Sequence, residues 1–358
     1  MTNIRIGIIG TGHMAATMAR TIASTAGAQV EGVASGSGDV ERARIFAQVC
    51  GGVRAYDTPL ELLAHANVDL VYIASATASH ASLAIAALDA GKAVLCEKPF
   101  ATSVTEGQRV VEAARRNGRF FMEALWTPFL PADRRVVELV RTRAVGEPVH
   151  LSASFGYPVS VTSHPGLFAP IGGGVLLDRA IYPISLALRI LGPVEGVAGR
   201  VQRTADGIDV HASLQLAHRS GAQSQLAVSL VALLENTAII SGSLGSITLG
   251  APLIGAEVVA VQRVTPPPAA RRSVNVAAEA NTLGDKLRAI PALRRLKRML
   301  PSGAREHLPY GASPYGPLLR HVIEALQSKK AESDEVPLAL SLEILRIVDA
   351  VRADGTPA

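Results

Sequence analysis

Cysteine is nearly absent from the sequence. Cys50 and Cys96 are the only two in 358 residues, too few for a disulfide framework or a cysteine-ligated metal cluster. Charged residues are also sparse, at 18%, against 48% hydrophobic residues. This balance excludes a disordered chain and supplies apolar cores for about two domains. We expect no metal cofactor and a reducing, cytoplasmic compartment.

Long uninterrupted hydrophobic runs are missing as well. The uncharged stretch 70–88 is broken by serine, threonine and histidine side chains, so it does not predict a membrane span. The chain enters a β-like run at Ile4, which predicts that it carries no signal peptide. A membrane partner is therefore not expected.

The net charge of +5 raises the possibility of an anionic partner. Seven basic and two acidic side chains lie in 285–306, so this segment alone accounts for the whole excess. The segment is predicted to be a basic amphipathic helix, usually a solvated face. The alternatives are attraction of a phosphorylated substrate or of an acidic patch on a partner subunit. A nucleic-acid partner is not predicted.

The first third of the chain alternates between apolar, β-branched runs and helical patterns. The predicted strands are 4–9, 30–34, 68–73, 93–96 and 120–122, and the predicted helices are 14–24, 41–49, 80–90 and 104–116. Apolar strands separated by helices of this length are typical of βαβ units in a parallel sheet. Residues 1–123 are therefore predicted to form an α/β, Rossmann-type domain.

The remainder, 124–358, is predicted to be an α+β domain with a mostly antiparallel open sheet. The predicted strands are 148–155, 194–202, 210–216, 225–233, 237–249 and 258–264, and the predicted helices are 175–191, 318–327 and 338–352. Short turns between successive strands favour antiparallel pairing.

A glycine-rich turn links the first predicted strand to the first predicted helix. Gly10, Gly12 and Ala15 form a G-x-G-x-x-A motif. The first glycine permits a tight turn, the second lets the backbone approach a pyrophosphate, and the helix amides receive the anion. The cofactor site is therefore assigned to this turn, with Gly10, Thr11, Gly12, His13 and Met14. Taken alone, the motif is also compatible with a purely structural turn.

The end of the second predicted strand bears on the choice between NAD and NADP. An NAD site usually has an acidic residue there to hold the ribose hydroxyls, but this strand leads into Ser35 and Ser37. Arg42 in the next helix is placed to contact a 2′-phosphate, with Arg44 as a second candidate. NADP is therefore favoured. Asp39 keeps NAD possible, and solvated helix charges are the alternative for both arginines.

Two clusters supply candidate catalytic groups. Glu97 and Lys98 follow the fourth predicted strand, and α/β sheets bind ligands at the carboxyl ends of their strands. Further along, Asp178 and Tyr182 are four positions apart, so on a helix both side chains lie on one face. Pro183 is expected to kink that helix and to free a backbone carbonyl.

These residue types suit hydride transfer at a hydroxyl carbon, which requires a group that exchanges the hydroxyl proton. Tyr182 is assigned this role, because Lys98 beside it is predicted to favour the phenolate and to lower the pKa of the tyrosine. Asp178 would orient the substrate or balance the lysine. The alternatives are an exposed strand-end lysine, a core tyrosine and a helix-face aspartate.

Several motifs in this order resemble the glucose–fructose oxidoreductase / inositol dehydrogenase / rhizopine-catabolism oxidoreductase family. Beyond the nucleotide turn, they are Thr77-x-x-His80, Glu97-Lys98-Pro99, Glu123-Ala124-Leu125-Trp126, the run from Gly172 through Asp178 to Tyr182-Pro183, and Pro337-Leu338-x-x-Ser341-Leu342. The tyrosine is typical of the branch that contains dihydrodiol dehydrogenases and glucose–fructose oxidoreductases.

The resemblance implies an NAD(P)-dependent oxidoreductase for a sugar, cyclic polyol or dihydrodiol. It implies that Lys98 lies between nicotinamide and substrate, that Asp178 binds substrate hydroxyls and that Tyr182 exchanges the proton. It also implies a homodimer or homotetramer formed through the second domain's open sheet.

Other polar and aromatic side chains are assigned to the walls of the site. The cofactor wall is assigned Ser75, Thr77, His80 and Glu97. Trp126 is assigned to the floor of the substrate cleft, with a core role as the alternative, and Tyr157 and His164 are candidate substrate contacts.

The chain departs from the family pattern at four places. Usual arginines are missing in Trp126-Thr127-Pro128-Phe129 and in Ser163-His164-Pro165-Gly166, Arg179-Ala180 replaces a usual Ile-Gly, and Ser75-Ala76 replaces Thr-Pro. The missing arginines leave the substrate open. Two other functions are weighed. A dinucleotide-sensing regulator would not need the acid–base set, and a glycosidase using redox-assisted elimination would need a leaving-group acid that nothing here marks.

Overall fold

Two β-sheets organise the part of the chain that the computed structural model describes, residues 3–65, 67–264 and 304–354. The first sheet is parallel throughout, in the order β3-β2-β1-β4-β5-β6. Its strands are β1 Ile4–Ile9, β2 Ala28–Ala34, β3 Arg54–Tyr56, β4 Leu70–Ile73, β5 Ala93–Cys96 and β6 Phe121–Glu123. Five helices connect them: α1 His13–Ala23, α2 Val40–Val49, α3 Pro59–Ala64, α4 His80–Asp89 and α5 Val104–Asn117.

The order of strands in this sheet positions the site. Strands β2 and β3 lie on one side of β1, and β4, β5 and β6 lie on the other, so the strand order reverses between β1 and β4. Ligands of α/β sheets bind outside the carboxyl ends of the strands at such a point. All residues of β4 and β5 are buried, as expected for strands covered on both faces. The residues that follow β1, β4 and β5 therefore lie together at one edge.

The second sheet has eight strands in the order β14-β13-β12-β11-β7-β10-β9-β8. All neighbours are antiparallel except β7 and β10, which are parallel. Its strands are β7 Pro148–Gly156, β8 Val194–Arg203, β9 Asp209–His218, β10 Gln223–Ser229, β11 Ala238–Gly242, β12 Gly245–Leu249, β13 Val258–Arg263 and β14 Ala304–His307. The predicted α/β fold, with a Rossmann sheet and a mostly antiparallel second sheet, is confirmed.

Four helices of the described ranges accompany the second sheet. They are α6 Pro131–Arg141, α7 Ile181–Leu191, α8 Gly316–Gln327 and α9 Leu338–Asp354, and a π-helical turn, Leu176–Ala180, leads directly into α7. Ser341 of α9 donates a hydrogen bond to Glu123 of β6, and the Ser313 hydroxyl ahead of α8 lies 2.9 Å from that of Thr21 in α1. The end of the chain therefore packs back on the first sheet. None of the helices among the described residues is long and apolar enough to cross a membrane.

Several predicted elements were wrong in detail. The predicted strand 237–249 is a hairpin, β11 and β12, which pair antiparallel across Ser243 and Leu244. The predicted helix 175–191 is a π turn followed by α7, with Pro183 inside the first turn of α7, where a missing N–H is tolerated. Elements β3, α3 and α6 were not predicted. Most of the basic segment, 285–303, lies outside the described residues, and its end, 304–306, belongs to β14 rather than to a helix.

Candidate active site

The turn after β1 is shaped to receive a phosphate group. Gly10 has a φ of +129°, and a Cβ there would lie 2.2 Å from the carbonyl oxygen of Ala74, so only glycine fits. At Gly12, by contrast, a Cβ would meet nothing within 4 Å, so the space in front of the helix is open. Helix α1 begins at His13 with no capping side chain. Its first N–H groups are therefore available to an anion, as a bound pyrophosphate requires.

The end of β2 carries the groups predicted to face the ribose. The hydroxyls of Ser35 and Ser37 lie 3.0 Å apart. The Asp39 carboxylate caps α2 by accepting the Arg42 N–H at 3.0 Å, so one of its oxygens is already engaged. Arg44 lies 3.9 Å from Glu41. The exposed Arg42 side chain has no ion-pair partner among the described residues.

The residues after β4 are those predicted to form a wall of the cofactor site. His80 is buried, with Nδ1 2.8 Å from the Pro99 carbonyl oxygen and Nε2 3.1 Å from that of Ser75. It thereby joins the β4 turn to the segment after β5. Thr77 is part of a short 3₁₀ turn that the glycine run of the second domain approaches closely, since a Cβ on Gly172 would lie 2.8 Å from the Thr77 Cβ.

Glu97 supports the backbone at the end of β5. Its buried carboxylate accepts a 2.6 Å hydrogen bond from the Tyr72 hydroxyl, and its other oxygen lies 3.3 Å from the Lys98 N–H. Burial raises the pKa of Glu97. Lys98 is joined to Pro99 by a cis peptide bond. The Lys98 side chain leaves this strand end toward the second domain.

Lys98 meets Asp178 across the two domains. Its Nζ donates to Asp178 Oδ1 at 2.7 Å and to the Asp178 carbonyl oxygen at 3.1 Å. The lysine lowers the pKa of Asp178 despite burial, and the carboxylate helps to raise the pKa of Lys98. Both groups are therefore charged at neutral pH. Of the two roles considered for Asp178 from the sequence, the structure shows the ion pair with Lys98.

The π turn explains why a backbone carbonyl takes part. π-helical turns are rare and occur often at functional sites. Pro183 has no N–H, so one carbonyl in the preceding turn lacks a helical donor. The Lys98 ammonium group hydrogen-bonds to the carbonyl of Asp178 in that turn. A backbone carbonyl of the turn that precedes Pro183, that of Asp178, thus contributes to the site.

Tyr182 completes the cluster, one turn after Asp178. Lys98 Nζ lies 5.2 Å from the centre of the Tyr182 ring, and Trp126 Nε1 donates to the Tyr182 hydroxyl at 3.2 Å. The predicted lowering of the tyrosine pKa was wrong in sign. Burial raises the pKa of Tyr182, and the opposing effect of Lys98 is smaller. The hydroxyl is therefore a phenol at neutral pH and can donate a proton.

Aromatic residues are only 4% of the chain, yet a chain of rings lines this cluster. Ring centres lie 5.0 Å apart for Tyr315 and Trp126, 6.3 Å for Trp126 and Tyr182, and 5.8 Å for Tyr182 and Phe155. Tyr157, exposed, continues the series at 6.1 Å from Phe155. Trp126 thus lies beside the reactive groups as predicted, although it is buried.

Sequence reasoning missed Tyr315. Its hydroxyl lies 3.9 Å from the Met14 sulfur in the nucleotide turn, and its ring packs on Trp126. It therefore joins the turn after β1 to the aromatic residues around Lys98, Asp178 and Tyr182. No periodicity or motif marks Tyr315, because only the return of the chain to the first domain brings it here. The predicted substrate contact His164 lies on an exposed segment, with Nδ1 3.0 Å from the hydroxyl of its neighbour Ser163.

The assembled groups are a phosphate-binding turn, an ammonium group, a carboxylate and a phenol. Together they can hold a dinucleotide, polarise a substrate oxygen, orient a hydroxyl and exchange a proton. Within the described ranges, no three His, Cys, Asp or Glu side chains are grouped as ligands for a metal ion.

Known proteins share both halves of this arrangement. Residues 4–125 match the model of an oxidoreductase family with an NAD-binding Rossmann fold, and 134–248 match the GFO/IDH/MocA C-terminal domain. The trans-1,2-dihydrobenzene-1,2-diol dehydrogenase of Mus musculus is 32% identical over 246 residues, which are 68% of this chain and 73% of the relative. That of Sus scrofa is 30% identical over 244 residues, 68% and 72% of the two chains.

Solved structures agree over nearly the whole length. KijD10, a 3-ketoreductase from Actinomadura kijaniata in complex with NADP and TDP-benzene, has a TM-score of 0.78 at 25% identity and covers 99% of this chain and 98% of its own. An oxidoreductase from Agrobacterium radiobacter in complex with NAD⁺, L-tartaric acid and magnesium has a TM-score of 0.77 at 21% identity, covering 99% and 96%, which shows the shared fold. The resemblance inferred from the motifs is confirmed: the chain belongs to the GFO/IDH/MocA family and is an NAD(P)-dependent oxidoreductase acting on CH–OH groups.

Proposed function

We propose that the protein transfers a hydride between NADP(H) and a hydroxyl or carbonyl carbon of a cyclic diol, a polyol or a sugar, with Tyr182 as the acid/base. The observation that carries the proposal is the meeting of Lys98, Asp178 and Tyr182 at the edge where β1 and β5 end. A bound nicotinamide would supply or accept the hydride.

The three side chains divide the remaining work in carbonyl reduction. The Lys98 ammonium group polarises the carbonyl oxygen, and the phenol of Tyr182 gives that oxygen its proton. Asp178 accepts a hydrogen bond from a neighbouring substrate hydroxyl. In the oxidation direction the same proton returns to Tyr182, and the raised pKa of the tyrosine makes this direction slower at neutral pH.

NADP is the proposed cofactor because of the end of β2. A 2′-phosphate there would meet the hydroxyls of Ser35 and Ser37 and the Arg42 guanidinium, which no carboxylate of the described chain neutralises. Asp39, the residue that would favour NAD, is engaged in capping α2. Phosphate is bound well by arginine, because its planar donors match the phosphate oxygens.

A ring-shaped substrate with an apolar face suits the aromatic wall. The buried rings of Trp126, Tyr182 and Phe155 pack edge to face beside Lys98, so the surroundings of the ammonium group are aromatic. Cyclic diols of the kind named for the Mus musculus relative have both the flat face and the adjacent hydroxyls that Lys98 and Asp178 would hold. We therefore place a cyclic diol first among the substrates.

The second sheet is the proposed surface for a homodimer or homotetramer. Its outward side chains over the central strands are uncharged, namely Ser152, Ser154, Ser213, Gln215, Gln225 and Ala227. Among the described residues that line this concave surface, only Arg200 and Glu235 are charged. A broad face with so few charges is typical of a surface that a second copy covers.

The decisive experiment is a dehydrogenase screen of cyclic diols, inositols and sugars with both cofactors, comparing Lys98→Ala with Lys92→Ala. Lys92 flanks the other end of β5 and donates to the His65 carbonyl, so it is a matched control. We expect Lys98→Ala to lower turnover by orders of magnitude and to keep cofactor binding, while Lys92→Ala retains turnover. Unchanged turnover in Lys98→Ala would refute the mechanism. If the wild type binds cofactor but turns over none of the compounds, the proposed enzymatic function is refuted and a dinucleotide-sensing role is favoured.

A further inference from the structure

Arg179 is buried beside Asp178, a rare position for an arginine. Its Nη1 donates to the Tyr157 carbonyl oxygen at 2.7 Å and also to that of Ser229, and its Nε lies 3.6 Å from Asp178 Oδ2. The guanidinium carbon lies 5.3 Å from the centre of the Phe155 ring. An unpaired buried charge is strongly destabilising, so these contacts are what allow the arginine to be buried.

The two carbonyls that Arg179 binds come from neighbouring strands. Ser229 is the last residue of β10, and Tyr157 directly follows β7. These strands are parallel, with Ser229 opposite Gly156, so the guanidinium joins both at the point where they leave the sheet. The segment that continues from β7 carries the exposed ring of Tyr157, a candidate substrate contact. Arg179 therefore ties the ends of β7 and β10 to Asp178.

Asp178 is consequently held from two sides. Lys98 contacts Oδ1, and Arg179 faces Oδ2. In the proposed function, on which this inference rests, Lys98 shares its three N–H donors between Asp178 and the substrate oxygen. Without a second cation, any weakening of the Lys98 contact would leave a partly buried carboxylate poorly paired, at considerable cost.

We propose that Arg179 is a positioning residue, which holds Asp178 and the ends of β7 and β10 in place while Lys98 engages the substrate. The family pattern does not supply this role, since Arg179-Ala180 stands where Ile-Gly is usual. The arginine acts through Asp178 and the loop backbone, and it needs no contact with substrate.

The charges around Asp178 give the role a pH signature. Lys98 from the β5 turn and Arg179 from the π turn both lower the pKa of Asp178, against its burial. Tyr182 is the other titratable group facing it, and the Asp209–Arg352 pair lies at the start of the same turn. Loss of Arg179 therefore raises the pKa of Asp178. The acid limb of the kcat/KM profile moves to higher pH.

The test compares Arg179→Ile, the usual family residue, with Arg189→Ile. Arg189 is a partly buried arginine paired with a buried aspartate, Asp133, and it lies outside the cluster. We expect Arg179→Ile to lower kcat at least tenfold and to shift the acid limb upward, whereas Arg189→Ile loses stability without moving the limb. An unmoved limb with wild-type kcat in Arg179→Ile, or the same shift in Arg189→Ile, would overturn the proposal.

A second readout does not depend on activity. The Asp178 carboxyl is titrated by carbon NMR in protein labelled at aspartate, with Asp178→Asn as the assignment control. An upward shift of its pKa in Arg179→Ile supports the role of Arg179, and an unshifted titration refutes it. A wild type without turnover refutes the proposed function alone. Should Arg179→Ile fail to fold, Arg179→Lys must lower kcat, because lysine cannot reach both carbonyls in the same geometry; wild-type kcat in that variant refutes the role.

Discussion

Ser341 of the last helix donates a 2.6 Å hydrogen bond to the buried carboxyl group of Glu123, at the end of β6. The other oxygen of Glu123 lies 3.3 Å from the N–H of Phe100, just after the Lys98–Pro99 bond. One carboxyl group therefore joins the last helix, the first sheet and the segment that follows Lys98. Burial raises the pKa of Glu123 to about 7.

This raised pKa makes folding stability depend on pH. The folded protein holds a proton on Glu123 up to about pH 7, and the unfolded chain releases it near the ordinary glutamate value of about 4.3. The contribution of Glu123 to the free energy of unfolding is therefore fully present below the lower pKa. It is lost as pH rises through the higher pKa, and it amounts to on the order of 3 kcal/mol. In Glu123→Gln, the free energy of unfolding measured with urea should depend less on pH between these two pKa values than it does in the wild type. The exposed Glu112→Gln is the control, and an unchanged slope in Glu123→Gln would contradict the assignment.

Tyr182→Phe should lower turnover by about a hundredfold or more, because the general acid is lost. The raised pKa of Tyr182 keeps the phenol protonated. In the wild type, carbonyl reduction should therefore stay insensitive to this group through neutral pH and fall only above the usual tyrosine range, while oxidation should rise with pH. Steady-state rates in both directions check this. Tyr56→Phe is the control, since the buried Tyr56 hydroxyl has no hydrogen-bond partner among the described residues; equal losses in both variants would argue against a catalytic role.

Arg42→Ala should weaken NADP binding about tenfold and leave NAD binding nearly unchanged, because a charge-assisted hydrogen bond to the 2′-phosphate is lost. Arg44→Ala, whose arginine is near Glu41 on the same helix, should have a much smaller effect. Fluorescence titration with each reduced cofactor measures both affinities. If Arg42→Ala weakens the binding of NADP and of NAD equally, the arginine does not contact the 2′-phosphate.

Ala227→Arg should reduce the mass of the particle in solution, because it places an unpaired charge on the outward face of β10. Size-exclusion chromatography with light scattering measures the change. Ala26→Arg adds the same charge at an exposed position near α1 and should leave the mass unchanged. A wild type that is already monomeric, or an Ala227→Arg variant of unaltered mass, would contradict the proposed interface.

The strands that the sequence predicts best are β1, β4 and β5, because they are short, largely apolar runs that a helical pattern follows. The missed β3 has only three residues and begins with the exposed Arg54. A usable pattern did precede α3, since Thr58 caps it by accepting the Glu61 N–H, as in a capping box. Short elements of this kind depend on their neighbours more than on their own pattern.

The site divides in the same way. Lys98, Asp178 and Tyr182 are predictable because each belongs to a local motif, and the fold brings them together. Tyr315 and the contacts of Arg179 arise only from tertiary packing between distant segments. The sign of the Tyr182 pKa also failed, because the sequence shows the neighbouring charge but not the burial that outweighs it. The division at residue 123, the assigned site roles and the cytoplasmic location stay predictions.

Trp126 is the only tryptophan in the chain, and its indole N–H is bound to the hydroxyl of Tyr182. The tryptophan emission of the protein therefore comes from one ring, beside Lys98 and Tyr182. Reduced nicotinamide absorbs in the range where tryptophan emits, so a reduced cofactor bound beside Lys98 would quench that emission by energy transfer. The intrinsic fluorescence of Trp126 thus reports binding of the reduced cofactor without an attached dye.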